Sequence, residues 1–159
     1  MPVTAVSDSL GRPVIGQTSF IVGIPEPNIG RLARLDCQYG LAAKVKGKPA
    51  PQPQVEISIS LYDTTPRASG RVQSTIDDYQ SHGARPSDVA VGQFPGTILG
   101  GYGQPTIVVA AGPRTIAITV YSKLLPTPAS TGLIALAKLA VDKTQTFSQG
   151  GASPSTSSS

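Results

Sequence analysis

The chain has 159 residues, a formal charge of +4, 39% hydrophobic and 14% charged residues, and carries 17 glycines and 15 prolines. The apolar share excludes wholesale disorder, the aperiodic glycines exclude a collagen-like rod, and the sparse charge excludes a coiled coil. No apolar run approaches the roughly 18 residues of a membrane-spanning helix, so one loop-rich domain with its own core is expected.

Residues 1–14 carry no cationic and apolar secretion signal and read as a flexible N-terminal segment, ahead of a single α+β domain over 15–145. From Gln17 the sequence alternates, with Phe20, Val22 and Ile24 on one face, until Pro25 and Pro27 stop the strand. A second strand is expected over 33–41, where Leu35, Cys37, Tyr39 and Leu41 share a face. Residues 44–54 hold Pro49, Pro51 and Pro53 and read as an exposed loop. The clearest strand runs from Val55 to Tyr62. Val55, Ile57, Ile59 and Leu61 point one way, and Glu56, Ser58, Ser60 and Tyr62 the other. That split predicts one face on a core and one on water, as antiparallel sheets allow.

Thr65 as cap and Pro66 in the first turn open a helix whose Ala68, Val72, Ile76 and Tyr79 draw an apolar stripe. Gly83 suits the left-handed residue past its end. Residues 87–96 read as a connection to a short strand over 97–99, followed by a glycine-rich loop at 100–105. Two strands, 106–111 and 114–121, join at Gly112-Pro113, and the run Ile107, Val108, Val109 places them near the sheet centre. Pro126-Thr127-Pro128 opens the last helix, with Leu133, Leu136, Ala137, Ala140 and Val141 as its buried stripe. Residues 146–159, rich in Ser and Gly, are expected to be a disordered tail. The order predicts an α+β fold, a mostly antiparallel sheet of about five or six strands with two helices packed on one face.

The basic residues are scattered, and their one cluster, Lys44, Lys46 and Lys48, has no aromatic between its members. No nucleic-acid partner is therefore expected, and the cluster is read as a contact for anionic glycans or phospholipid headgroups. Cys37 is the single cysteine and His82 the single histidine. An internal disulfide is excluded, and no metal and no cofactor is expected. Cys37 reads as a small buried thiol, with pairing to a cysteine of an upstream segment as the alternative. Asp78 and His82 stand at i and i+4, but no serine sits in a Gly-x-Ser-x-Gly elbow. No catalytic residue is assigned, and a small hydrolase using this pair is the weakest reading. Gly100-Gly101-Tyr102-Gly103 lacks the following helix of a phosphate cradle. Leu35, Ile57, Val72, Ile76, Ile118 and Leu136 are the candidate ligand-binding residues. They form ordinary core unless the helices stand off the sheet and open a pocket for an acyl chain.

Four stretches carry a resemblance: Arg34-Leu35-Asp36-Cys37-Gln38-Tyr39-Gly40-Leu41, the strand from Val55 to Tyr62, the segment from Arg71-Val72-Gln73 to Tyr79, and Ala110-Ala111-Gly112-Pro113-Arg114-Thr115-Ile116-Ala117. In order and composition they resemble extracytoplasmic domains of actinobacterial, especially mycobacterial, envelope proteins and lipoproteins of unknown function, a broad group that includes LpqN-like lipoproteins. The resemblance covers residues 15–145 and implies a non-enzymatic accessory or binding domain of the cell envelope, whose partner is an envelope protein, a lipid or a glycan. It brings no site residues with it. A carrier of an apolar ligand is the alternative. The sequence departs from the group in lacking the lipid-attachment cysteine and the upstream partner cysteine. It is expected to be extracytoplasmic if Met1 follows a removed signal or anchor, and cytoplasmic otherwise.

Overall fold

Alternating sequence becomes strand throughout the computed structural model, which describes residues 1–149 and their side chains through Gln145. Among the described residues, seven strands form one antiparallel sheet. They are β1 (Gln17–Gly23), β2 (Arg31–Leu41), β3 (Val55–Tyr62), β4 (Arg85–Val91), β5 (Phe94–Gly100), β6 (Thr106–Ala111) and β7 (Arg114–Val120). Their spatial order is β1-β2-β3-β7-β6-β5-β4. Three α-helices join them: α1 (Val3–Leu10), α2 (Thr65–Ser81) and α3 (Ala129–Gln149).

Strand register lines up the two faces. Ile57 lies opposite Cys37 on β2 and Ile118 on β7, and Ile118 lies opposite Ile107 on β6. This apolar face joins Val6 and Leu10 of α1 and Leu133, Leu136, Ala137 and Ala140 of α3 in one buried cluster. Each fully buried Leu or Ile there contributes about 1.5–3 kcal/mol of transfer free energy. Gly132 lets the two helices meet, since a Cβ on it would come 2.8 Å from Pro126 Cδ and 3.3 Å from Leu10 Cδ2.

The opposite face belongs to α2. β4 is the far edge strand, so the chain leaving β3 must cross the sheet before the β4–β7 meander can return to pair with β3. α2 makes that crossing and touches β3, β4, β5, β6 and β7. Its cap is Thr64, one residue before the expected Thr65, whose side chain accepts from the Arg67 amide. Gly83 takes the left-handed conformation, with φ 94°.

The expectation of about five or six strands with two helices on one face does not hold. The overlooked strand is β4, whose Pro86 and Asp88 break the apolar pattern and are tolerated at a sheet edge. α2 and α3 cover opposite faces, because the crossover and the final return leave the sheet on different sides. Part of the N-terminal segment read as flexible is α1, with Val6 and Leu10 in the core. α3 continues to Gln149, and the rest of the expected disordered tail lies outside the described residues.

Candidate functional site

β3 alternates serines with isoleucines, and β7 repeats the device with Thr115, Ala117 and Thr119. Register sets Ser60 beside Thr115, Ser58 beside Ala117 and Glu56 beside Thr119. The face opposite the core is therefore a floor of short, mostly hydroxylated side chains. Short side chains under a helix leave the interlayer space unfilled. What remains is a cleft of about 240 Å³, floored by β2, β3, β6 and β7 and walled by Arg71, Thr75 and Tyr79 of α2. It is smaller than the roughly 300–1,000 Å³ of sites for drug-sized ligands.

Arginines gather at one end. Residues 31 and 34 stand three apart on β2, an odd spacing that would ordinarily aim their side chains to opposite faces. A β-bulge corrects this: Arg31 lies opposite Tyr62 and Ala33 opposite Leu61, so Leu32 is the extra residue. Both Arg31 and Arg34 then line the cleft, as does Arg71 from above. Arg34 Nε donates to Asp36, 2.9 Å from Oδ2. Opposite it, Gly23 leaves room for the arginine stem, because a Cβ there would lie 3.0 Å from Arg34 Cβ. Arg31 pairs through Nη2 with Glu26, and the two backbones exchange hydrogen bonds of 2.8 and 3.0 Å. Arg31 is only 9% exposed, and its buried Nε has no hydrogen-bond partner among the described residues. A buried donor left this way costs about 1–3 kcal/mol. Arg71 makes no ion pair among the described residues, and the side chains of Ser58, Ser60 and Thr115 make no hydrogen bond there. At the other end of the cleft Thr106 and Thr119 share a 2.9 Å hydroxyl contact beside Glu56.

The residues singled out from sequence fall elsewhere. Ile57, Ile118 and Leu136 are fully buried in the α1–α3 core, and Leu35, on the same sheet face, is 37% exposed beyond the helices' cover. Val72 and Ile76 are half-buried on α2, across the sheet. The six therefore line no common cavity. Lys44, Lys46 and Lys48 are exposed in the loop between β2 and β3.

Asp78 and His82 do meet at the end of α2, with Nδ1 4.0 Å from Asp78 Oδ1 and 2.8 Å from its carbonyl oxygen. Ser81 Oγ lies 3.2 Å from that same ring nitrogen. A nucleophile and an orienting carboxylate need opposite nitrogens of the ring, so this cluster lacks the relay geometry. His82 instead stacks on Tyr102 at 5.3 Å. Cys37 is buried, and burial pushes its thiol pKa up. Tyr39, buried beside it, is pushed up by burial and then by Cys37; its hydroxyl donates to the Met1 carbonyl at 2.9 Å. Among the described residues no three His, Cys, Asp or Glu side chains gather as metal ligands, and no helix is long and apolar enough to cross a membrane.

The fold has a solved counterpart. The extracellular domain of PknH from Mycobacterium tuberculosis matches with a TM-score of 0.50 and 12% sequence identity, over 90% of this chain and 92% of that one. No family model and no curated protein matches the chain. At that identity the likeness establishes the shared fold alone.

Sequence reasoning missed the cleft arginines and the hydroxyl floor. One signal for them is present: the alternation of β3 gives it a second face of Ser58, Ser60 and Tyr62, which a helix can cover as readily as water.

Proposed function

We propose that this chain is a non-enzymatic binding domain of an extracytoplasmic envelope protein, and that its binding site is the cleft between α2 and the polar sheet face. The observation that carries this reading is the surplus of hydrogen-bonding capacity at that cleft. The buried Arg31 Nε, the unpaired Arg71 and the hydroxyls of Ser58, Ser60 and Thr115 all lack partners within the described protein. Native interiors satisfy buried donors, so the unpartnered Arg31 Nε, beside a concave surface lined by the exposed Arg71 guanidinium and free hydroxyls, marks a place for a ligand.

An extracytoplasmic setting is supported by the fold shared with an extracellular domain and by the sequence resemblance to mycobacterial envelope proteins. The narrower likeness to LpqN-like lipoproteins rests on that sequence pattern. Absence of catalysis is supported by the exposed Asp78–Ser81–His82 cluster, which stands apart from the cleft lining and shares one ring nitrogen. An apolar carrier finds no comparable support, since Ile57, Ile118 and Leu136 are packed shut.

A panel of small polar molecules, screened by ligand-observed NMR, tests the proposal against Ala117→Leu. Ala117 lies on the cleft floor between Ser58 and Val108, so leucine there fills the site without touching the α1–α3 core. Hits on the native chain that vanish with Ala117→Leu support the reading. A panel without hits, or hits indifferent to the substitution, overturns it.

A further inference from the structure

Resting on the reading of the cleft as a binding site, we propose that its occupant is a sugar-sized molecule carrying an oxyanion, phosphate or carboxylate, seated at the arginine end. Three features of that end point to negative charge. The bulge at Leu32 brings Arg31 onto the cleft face, where regular pairing would aim it away from Arg34. Bulges of this kind re-aim side chains next to functional sites. Arg31 lines the cleft with its Nη2 paired to Glu26, and its buried Nε is a donor for which the described protein supplies no acceptor. Above it, Arg71 carries a guanidinium with no counter-charge among the described residues. Guanidinium forks match planar carboxylates and phosphates better than any neutral acceptor.

The rest of the cleft fits the uncharged part of such a ligand. Ser58, Ser60 and Thr115 offer hydroxyls without protein partners, suited to exchange hydrogen bonds with a polyol. Glu56, the carboxylate of the lining, sits four residues along β3 from Ser60, which lies opposite Arg34; at strand rise that is about 13 Å. Repulsion between Glu56 and the seated anion is therefore screened. The volume of about 240 Å³ matches a monosaccharide derivative.

Titrations followed in side-chain and backbone ¹H–¹⁵N spectra decide the matter, using inorganic phosphate, glucose 6-phosphate, glucuronate and uncharged glucose at constant ionic strength. Glucose 6-phosphate and glucuronate are expected to shift the Arg31 Nε–H resonance and the amides of Ser58 and Ser60, and to bind more tightly than phosphate. Arg71→Gln, at an exposed position that leaves the fold intact, is expected to weaken glucose 6-phosphate roughly tenfold. Glucose binding as tightly as glucose 6-phosphate, or an affinity unchanged by Arg71→Gln, overturns the oxyanion assignment and leaves the cleft as a binding site. Cleft resonances unmoved by all four probes also overturn it, and the Ala117→Leu screen then judges the binding reading separately.

Discussion

Replacing Arg31 with methionine keeps an unbranched stem in the cleft wall and removes the guanidinium. Two effects oppose each other. The orphaned Nε disappears, relieving about 1–3 kcal/mol. The ion pair to Glu26 is lost as well, but the Glu26 side chain is 43% exposed, so solvent limits that loss to about 0.2–1 kcal/mol. The net expectation is a variant more stable by about 0–3 kcal/mol, which for a domain of this size raises the melting temperature by several degrees. Urea unfolding followed by circular dichroism measures the difference directly. Glucose 6-phosphate binding should fall in the same variant, the signature of a residue kept for function at the expense of stability. A variant destabilised by more than about 2 kcal/mol would refute the reasoning, because Arg31 would then be a strut that fixes the turn between β1 and β2.

Leu136→Ala should lower stability by about 2–5 kcal/mol in the same assay, since Leu136 is fully buried between α3 and the sheet; a loss under 1 kcal/mol would mean the layer is not packed. Val22→Thr, at an 81% exposed position of edge strand β1, should stay within about 0.5 kcal/mol of the native chain, and a larger loss would show that this edge is covered in solution. Stability should also fall in alkali. The Cys37 thiol is raised from its ordinary 9.0 chiefly by burial, and the Tyr39 hydroxyl from 10.0 by burial and then by Cys37. The folded state holds both protons longer, so the unfolded chain binds fewer above about pH 9 and stability drops as pH rises, by up to about 1.4 kcal/mol per unit for each group, which a falling urea midpoint reports. A midpoint flat to pH 11 or rising would contradict the burial of both groups.

Local pattern carried the sequence reading as far as local pattern reaches. The alternation in β3 and β7 and the stripe Leu133, Leu136, Ala137, Ala140 on α3 each reflect which side chains one element buries; the strands and the stripe are found, but Leu61 is 38% exposed while Ser60 and Tyr62, expected to face water, are buried. β4 escaped because an edge strand buries little, so Pro86 and Asp88 are permitted and the apolar signal fades. α1 escaped for a different reason. Its N-cap Pro2 makes no side-chain cap bond and its first turn has no acid, so the helix depends on Val6 and Leu10 meeting α3. The side of the sheet that each helix covers is a property of strand order, which no single window contains. The cleft follows from that order: once α2 must cross from β3 to the far edge, the serine face of β3 becomes an interior wall. The bulge at Leu32 is equally silent in sequence, because an unpaired apolar residue in a strand looks like a paired one.

The two faces of the sheet can be separated by thiol labelling of Ser58→Cys, which keeps the native Cys37 in place on the neighbouring strand and opposite face. Reaction rates are compared for a sulfonate-bearing methanethiosulfonate and its trimethylammonium counterpart. The account predicts that position 58 reacts in the folded protein, faster with the anionic reagent, while Cys37 reacts only on unfolding. A position 58 that stays unlabelled, or that prefers the cationic reagent, would contradict an open, arginine-lined cleft beneath α2.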